Sequence, residues 1–354
     1  MKDVLVEVSA LAGPAAGRGL GRYVTELLRA LEQGGRDVET FTLATRPGRL
    51  GELVALGPRQ VALARTPHRL LHVPTAYHAA LSARSPVVAS ILDVIPLDVH
   101  GHTRTGLKAQ LFHRLAGRAG AVLTLSEHAR SRIVERLGVP EDRVVVAPLP
   151  VTRGTDQGEP LPPGAAGGDY VLAMVDLASV DHRKRAAWLT GVGAALRARG
   201  HRLLVVGAGT DDPRCALAAT TGLGRVDDAT WGALLAGATA FVYSSAYEGQ
   251  GLPPLEALAA GVPVVAMRNT AVAEVLAGAA VLVAEDLAPA AAAAGPHRPD
   301  DPGARRLADA LLDLLGDDAA RAALRVAGPA RAAAFTPAAF RAQVLRANGL
   351  AEGR

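Results

Sequence analysis

The sequence predicts an α/β protein made of two doubly wound parallel sheets, and two observations support this fold class. Short apolar strands alternate with helical patterns from residue 1 to residue 151, and the same alternation starts again at residue 169. Between them, residues 152–168 are rich in Pro and Gly and show no periodicity, which is typical of a linker. Alternating strands and helices favour parallel sheets covered by helices. We therefore expect a cleft between the carboxyl ends of the two sheets, where ligands of such folds bind.

The first half, residues 1–151, is predicted to form one domain. A strand at Val4–Val8 is followed by a glycine-rich turn at Gly13–Gly21 and by an amphipathic helix that ends at Gly34-Gly35. The further strands that we predict in this half are Val38–Leu43, Leu70–Val73, Val87–Leu92, Ala121–Leu125 and Val144–Val146.

The second domain is predicted to cover residues 169–335. Its predicted strands are Tyr170–Val175, Leu203–Val206, Ala240–Tyr243, Val262–Met267 and Val281–Val283, and its helices begin near Arg185, Thr230, Pro253 and Ala271. We expect a loop over residues 286–303, and then helices at Arg305–Leu315 and Ala319–Ala334. In the remaining segment, 336–354, a helix from about Pro337 to Asn348 is expected to pack back towards the first domain.

The composition limits the classes of protein to consider. A single cysteine, Cys215, excludes a disulfide framework. The N-terminus shows no signal peptide, and no apolar run approaches the roughly 20 residues that span a bilayer, so we expect a cytoplasmic protein. Five Phe, five Tyr and two Trp are too few for base-stacking platforms, so we expect no nucleic-acid partner.

Positive charge is concentrated in the first half. Residues 1–150 carry 19 Lys and Arg against 13 Asp and Glu, whereas residues 151–354 carry 19 against 21. This excess could bring the first domain to an anionic acceptor or to the surface of an anionic membrane. A basic solvated surface explains it as well, and the sequence does not indicate an oligomeric state.

The most informative segment follows the predicted strand that ends at Tyr243. A glycine-rich loop comes next, and Pro253-Pro254 then opens a helix. The loop amides therefore lie at a helix N-terminus, where phosphate or sugar oxygens bind readily. Glu248 lies in the loop and Glu256 in the first helical turn. Their carboxylates could each hold a pair of vicinal hydroxyls. Alternatively, Glu256 is a generic first-turn acid and Glu248 is a solvated loop charge.

This segment resembles the E-x7-E signature of the retaining glycosyltransferases of family four, including the bacterial mannosyltransferases. Here it reads EGQGLPPLEALAAGVPVV from Glu248. Four other stretches match that family in the same order along the chain, and they are Gly19–Tyr23, Asp93–Leu97, Leu125–Arg130 with Leu137–Pro140, and Asn269–Val275. The resemblance covers nearly the whole chain. It implies the GT-B fold, in which two Rossmann-like domains face each other across a cleft.

The resemblance also implies roles for individual residues. Glu256 would bind the ribose hydroxyls of a nucleotide-sugar donor, and Glu248 would lie against the donor sugar near its anomeric carbon. Lys184, with Arg183 beside it, would neutralise the diphosphate leaving group. The other implied donor contacts are Gly249, Gln250, Gly251, Leu252, Val226 and Asn269 in the second domain and Gly19, Leu20 and Gly21 in the first. The residues implied on the acceptor or donor-sugar side are Asp93, Leu92 and Ser126.

Three positions depart from the family pattern. Ser179 stands where an arginine is expected, so the partner of Lys184 is either Arg183 or Arg185. Gln250 stands where phenylalanine is common, and its amide could contact donor, acceptor or solvent. Leu92 replaces a histidine that commonly reaches the 6-hydroxyl of the donor sugar.

Leucine cannot form a hydrogen bond, so a 6-hydroxyl facing it would lose a partner. The substitution at Leu92 therefore favours a 6-deoxy donor sugar. The alternative is a shifted loop in which His100, His102 or water makes this contact.

We therefore expect a retaining glycosyltransferase that moves a sugar from a nucleotide-diphosphate donor to a hydroxyl group of a natural product, lipid or polysaccharide. The chain has no Asp-x-Asp triplet, so we expect no metal, and no cofactor apart from the donor substrate. Two alternatives remain open at this point. One is a non-catalytic nucleotide-sugar-binding partner of a transferase, and the other is a nucleotide-sugar epimerase of the same fold.

Overall fold

The computed structural model describes residues 2–12, 19–42, 68–78, 85–99, 106–151, 161–165, 168–178 and 181–353. Several predictions lie outside these residues, namely residues 13–18 of the glycine-rich turn, most of the linker, Ser179, His100 and His102. The chain divides into two compact units. The first comprises Met1–Leu97, Thr103–Pro150 and Phe335–Arg354, and the second comprises Asp98–His102 and Val151–Ala334.

The strands are short. In chain order they are β1 (Lys2–Glu7), β2 (Val38–Phe41), β3 (His68–Val73), β4 (Val87–Ser90), β5 (Ala121–Thr124), β6 (Val144–Val146), β7 (Tyr170–Met174), β8 (Arg202–Val206), β9 (Thr221–Gly222), β10 (Ala240–Tyr243), β11 (Val264–Met267) and β12 (Val281–Val283). Every strand pairing in the described part of the chain is parallel.

Most helices lie in the connections between strands, and the last four follow β12. The helices are α1 (Gly19–Gln33), α2 (Ile95–Asp98), α3 (Gly106–Ala116), α4 (Glu127–Leu137), α5 (Ala186–Arg197), α6 (Asp228–Gly237), α7 (Leu252–Ala259), α8 (Thr270–Val275), α9 (Pro289–Ala292), α10 (Pro302–Gly316), α11 (Asp318–Ala332) and α12 (Pro337–Glu352). Among the residues that the structure describes, no helix is both long and apolar enough to cross a membrane.

The sheet of the first unit has the strand order β2-β1-β3-β4-β5-β6. Its inner strands β1, β4 and β5 are largely buried, as continuous apolar runs predict, whereas the edge strand β2 exposes Glu39 and Thr40. The C-terminal helix α12 belongs to this unit and packs against α1. A buried hydrogen bond of 2.6 Å joins Asn348 of α12 to His72 of β3.

The sheet of the second unit has the order β12-β11-β10-β7-β8-β9. The chain therefore builds outward from β7 through β8 to β9, and then returns to the other side of β7 with β10 and continues to β12. This reversal places a topological switch point between β7 and β10, where open α/β sheets bind ligands beyond the carboxyl ends of the strands. One core cluster fills the unit between this sheet and helices α5 and α10.

Side-chain caps explain why several helices begin where they do. Asp227, Asp317 and Thr336 each accept a hydrogen bond from a backbone N–H in the first turn of α6, α11 and α12. The predicted loop at residues 286–303 was partly wrong, because Pro289 opens the short helix α9 and Pro302 already begins α10. The strand β9 was not predicted, since its two residues, Thr and Gly, make no apolar run.

Candidate functional site

The residues that carry the predicted chemistry meet at the carboxyl ends of β7 and β10. The loop after β7 ends in a single helical turn, His182–Lys184, and the loop after β10 begins at Ser244. Backbone and side-chain hydrogen bonds join the two loops. The N–H of Ala246 donates to the Arg183 carbonyl at 2.7 Å, and the Ser244 hydroxyl donates to the Lys184 carbonyl at 2.8 Å. The positions of Arg183 and Lys184 are therefore tied to the glycine-rich loop.

Glu248 is the centre of this site. Its side-chain oxygen Oε1 accepts from Lys184 Nζ at 2.5 Å, from the Ser245 hydroxyl at 2.5 Å and from the Tyr243 hydroxyl at 2.8 Å. Its other oxygen, Oε2, lies 3.4 Å from Nη1 of Arg183. The residue is 9% exposed, so Glu248 is a buried, paired carboxylate rather than a solvated loop charge.

The two cations keep Glu248 ionised. Burial alone would raise the pKa of this carboxyl group, because charge is disfavoured away from water. The charges of Lys184 and Arg183, with hydrogen bonds from Lys184 and Ser245, outweigh that effect and lower the pKa to about 2. Burial and the neighbouring carboxylate raise the pKa of the Tyr243 phenol well above its usual value, so Tyr243 stays protonated and donates to Glu248.

Arg183 and Arg185 point to different environments. Nη1 of Arg183 donates to the Tyr247 carbonyl at 3.0 Å as well as facing Glu248, and its Nε lies 2.9 Å from Asp181. The Arg185 guanidinium is 1% exposed and pairs with Glu285 at 2.7 Å. It also donates to the Ala292 carbonyl and stacks on Trp188, with 4.1 Å between the guanidinium carbon and the ring centroid. Arg183 and Lys184 therefore both contact Glu248. Arg185 does not take part in this cluster, because its side chain is directed to Glu285 and Trp188.

The glycine-rich loop that leads into α7 is buried. Gly249, Gln250 and Gly251 are all buried, and Gln250 is 3% exposed, so its amide does not face solvent. Gly251 caps the helix with a φ of 87°, a left-handed conformation that glycine adopts without strain. Leu252 is then the first helical residue, and its neighbours Pro253 and Pro254 occupy the first turn.

Glu256 lies in the second turn of α7, so its predicted place in the first turn was wrong. The helix begins at Leu252, one residue earlier than the Pro-Pro pair indicated. Its carboxylate oxygen Oε2 accepts a hydrogen bond of 2.9 Å from the indole N–H of Trp231, on the preceding helix α6. Val226 lies half-buried in the connection that leads to α6.

A third loop, between β11 and α8, contacts the loop that carries Glu248. The Asn269 side-chain amide donates to the Ser245 carbonyl at 2.9 Å, and the hydroxyl of Thr270 accepts from the Glu248 N–H at 3.1 Å. Thr270 has a φ of 38°. A β-branched residue in this left-handed region costs on the order of 1–3 kcal/mol, and such strain is common at functional sites. The surrounding hydrogen bonds hold Thr270 in this conformation.

The predicted site residues of the first unit lie where strands β4 and β5 end, and at the start of α1. Ser126 is fully buried and caps α4 by accepting from the Ala129 N–H at 3.1 Å. The Asp93 carboxylate accepts from the Ile95 N–H at 3.0 Å, and the neighbouring Leu92 is half-buried. Gly19, Leu20 and Gly21 are the first residues of α1.

Sequence reasoning missed four residues that contact the two glutamates. Tyr243 and Ser245 hold the carboxylate of Glu248, Thr270 accepts from its backbone N–H, and Trp231 holds the carboxylate of Glu256. Tyr243 and Ser245 had a usable signal, because polar side chains at the carboxyl end of a buried strand are placed to face a ligand site. Trp231 had none, since its contact with Glu256 depends on the packing of two separate helices.

Comparisons with known proteins agree on the kind of domain. Residues 170–317 match the family model described as glycosyl transferases group 1. Over 235 residues, 62% of this chain, the sequence is 30% identical to the O-antigen chain mannosyltransferase B of Escherichia coli. The matched region spans 58% of the length of that relative.

Solved structures are similar over nearly the whole chain. Sucrose-phosphate synthase from Thermosynechococcus elongatus has a TM-score of 0.70 with 19% identity and 98% coverage of each chain. HepE of Anabaena, solved in complex with UDP-glucose, has a TM-score of 0.69 with 16% identity and covers 99% of this chain and 100% of its own. At these identities the likeness establishes the fold. The prediction of two Rossmann-like domains of the GT-B type is confirmed.

Proposed function

We propose that this protein is a glycosyltransferase that uses a nucleoside-diphosphate sugar as donor. The observation that carries the proposal is the convergence of Arg183, Lys184 and Glu248 at the switch point of the second sheet. Two adjacent cations beside a buried carboxylate suit a ligand that brings both phosphate and sugar hydroxyl groups. The group 1 glycosyltransferase model matches this part of the chain, which supports the same reading.

Arg183 and Lys184 would bind the diphosphate. Negative charge develops on the β-phosphate as its bond to the sugar breaks, and fixed positive charges close to it stabilise that transition state. Both side chains are already held by Glu248, so little reorganisation is needed when the donor arrives. We propose that these cations replace a metal ion, so that catalysis does not require one.

We propose that the sugar is transferred with retention. Glu248 is a weak candidate for a covalent nucleophile, since its pKa is lowered to about 2 and Oε1 already accepts three hydrogen bonds. A same-face reaction avoids that step. The bond between the anomeric carbon and the β-phosphate oxygen breaks, the acceptor oxygen bonds to the same face, and the acceptor proton moves to a phosphate oxygen.

The proposals for the donor sugar and for the acceptor rest on one substitution and on one relative. Leu92 in place of a polar residue favours a 6-deoxy sugar, whose methyl group needs no hydrogen bond. The relative from Escherichia coli is named an O-antigen chain mannosyltransferase, and this name supports a hexose-type donor and a saccharide hydroxyl acceptor here.

A binding panel tests the proposal. Thermal-shift measurements with UDP-, GDP-, ADP- and dTDP-sugars, each with and without EDTA, would be run on wild type, on Glu256→Ala and on a control, Glu274→Ala. We expect one nucleotide class to stabilise wild type and the control equally, with or without EDTA, and to stabilise Glu256→Ala much less. Binding of none of the donors by wild type would contradict the proposal, and binding lost with EDTA would contradict the metal-free part alone. Donor isomerisation without acceptor would indicate an epimerase instead.

A further inference from the structure

Trp231 is a residue of α6, and its side chain packs against Phe241 of β10, with 9% of the residue exposed. Its indole N–H donates to Oε2 of Glu256 at 2.9 Å. A neutral donor held by a buried ring fixes the direction of a carboxylate without cancelling its charge. The Glu256 side chain is therefore held in a defined orientation, with its other oxygen, Oε1, not engaged by this hydrogen bond.

The same tryptophan belongs to a row of three aromatic rings. Its ring meets Phe241 edge to face, with 6.2 Å between centroids, and the Phe241 ring stacks on that of Tyr243, also at 6.2 Å. Phe241 and Tyr243 are two residues apart on β10 and so share one face of the sheet. The row ends at the Tyr243 hydroxyl, which donates to Glu248. One continuous set of rings therefore contacts both carboxylates of the site.

Aromatic residues are only 3% of this chain, so a row of three that joins the two carboxylates is a specific arrangement. Rings buried side by side keep little rotational freedom, and the two hydrogen-bond donors at the ends of the row are held at a constant separation. A ligand that contacts both carboxylates then meets acceptors that are already spaced and oriented.

We propose that Trp231 is a positioning residue that orients Glu256 for the ribose of the donor nucleotide. The proposal rests on the function proposed above, because it presupposes a nucleotide at Glu256. Removing the indole N–H lets the Glu256 carboxylate rotate, so the loss appears in nucleotide affinity. A hydrogen bond to a charged group contributes enough free energy to change Kd about tenfold.

The test uses calorimetric titration of the full chain with UDP, GDP, ADP and dTDP, continued with whichever binds wild type most tightly. Trp231→Phe keeps an aromatic ring next to Phe241 and removes the indole N–H together with part of the indole's packing volume. The matched control is Tyr170→Phe, which removes a buried hydroxyl that donates to the Leu234 carbonyl of the same helix α6 at 2.8 Å. We expect Trp231→Phe to weaken binding about tenfold, and Tyr170→Phe to lower thermal stability while leaving nucleotide affinity as in wild type.

A double-mutant cycle shows whether Trp231 acts through Glu256. Glu256→Ala alone and Glu256→Ala with Trp231→Phe are predicted to bind equally weakly, because the tryptophan has no carboxylate left to orient. Any of three results would overturn the inference. Trp231→Phe could keep the wild-type nucleotide affinity, Tyr170→Phe could lose as much affinity as Trp231→Phe, or the double variant could bind more weakly than Glu256→Ala alone. Wild type that binds none of the four nucleotides would overturn the proposed function as well, so the two failures are distinguishable.

Discussion

Lys184 and Glu248, separated by 64 residues in the chain, form an ion pair with 2.5 Å between Nζ and Oε1. The pair joins the loop after β7 to the loop after β10, at the point where the strand order of the second sheet reverses. Because Glu248 is buried, this interaction is screened far less than a surface ion pair. It therefore contributes both to the stability of the unit and to the charge of the candidate site.

The first prediction concerns the acid stability that Glu248 provides. Its pKa is about 2 in the folded chain against an ordinary 4.5, so the folded state favours the ionised carboxylate. The resulting stabilisation, roughly 3 kcal/mol, is fully present above pH 4.5 and is lost as the pH falls towards 2. Glu248→Gln is expected to be less stable than wild type at pH 7 and to lose less stability than wild type between pH 4.5 and pH 2.

Urea denaturation at a series of pH values measures this effect. Glu141→Gln is the control, since that carboxylate is 68% exposed in an ion pair with Arg130. The control should keep the wild-type slope of unfolding free energy against pH. A wild-type slope in Glu248→Gln would show that Glu248 is not ion-paired in solution.

The second prediction concerns the buried pair of Arg185 and Glu285. Removing one partner of a buried ion pair leaves an uncompensated charge and typically costs 3–5 kcal/mol. Glu285→Ala is expected to show a loss of about that size in the free energy of unfolding, because Arg185 is 1% exposed. The double variant Arg185→Leu with Glu285→Leu should recover much of the loss. Equal stability of Glu285→Ala and wild type in chemical denaturation would refute the pairing.

The third prediction concerns His72, which lies fully buried in β3. Burial lowers the pKa of His72 from 6.5 to about 4, against the opposing effect of its hydrogen bond to Asn348. The unfolded chain therefore takes up a proton below pH 6.5 that the folded chain does not bind until about pH 4, so stability falls with decreasing pH across this window. His72→Gln, which can still donate to Asn348, is expected to reduce that slope.

The control for His72 is His201→Gln, a change at a half-buried position just before β8. It should leave the slope between pH 6.5 and pH 4 as in wild type. If His72→Gln and wild type lost stability in parallel over this window, the claim that His72 is buried in its neutral form would be contradicted.

The fold could be predicted from sequence because apolar runs mark buried parallel strands directly. The bounds of β6, β10 and β12 are as predicted, since each is a short run of strand-forming residues, and β10 ends where the chain turns polar at Ser244. The strand predicted at Val87–Leu92 ends earlier, at Ser90, which is the last residue in register with β5, although the Ile91 N–H still donates to the Leu123 carbonyl at 2.9 Å. Hydrophobicity reports burial and continues through Ile91 and Leu92, so it does not mark the end of the strand.

The site was harder to predict because it depends on backbone direction. Arg183 and Arg185 are chemically alike and two residues apart, so no sequence pattern could choose between them as partners of Lys184. The left-handed conformation of Arg185, with a φ of 50°, turns its side chain towards Glu285. Contacts such as Trp231 with Glu256 arise from the packing of helices and leave no local signature.

The fourth prediction concerns the donor sugar. If Leu92 faces carbon 6 of the sugar, a 6-deoxy donor is expected to have a higher kcat/KM than the matched donor that carries the 6-hydroxyl. Competition between dTDP-6-deoxyglucose and dTDP-glucose, and between GDP-6-deoxymannose and GDP-mannose, measures this preference, since each pair differs only at carbon 6. Leu92→His is expected to shift it towards the hydroxylated donor. A clear wild-type preference for the hydroxylated sugar would end the 6-deoxy proposal and leave the transferase function standing.

The most direct test of the central claim is the affinity for a nucleoside diphosphate and for its monophosphate, measured by calorimetry in wild type, Lys184→Ala and Lys108→Ala. If Lys184 binds the diphosphate, wild type and Lys108→Ala will prefer the diphosphate. Lys184→Ala will then lose about tenfold or more in diphosphate affinity, and most of that preference. Equal binding of the diphosphate by Lys184→Ala and wild type, or no nucleotide binding by wild type, would contradict the account.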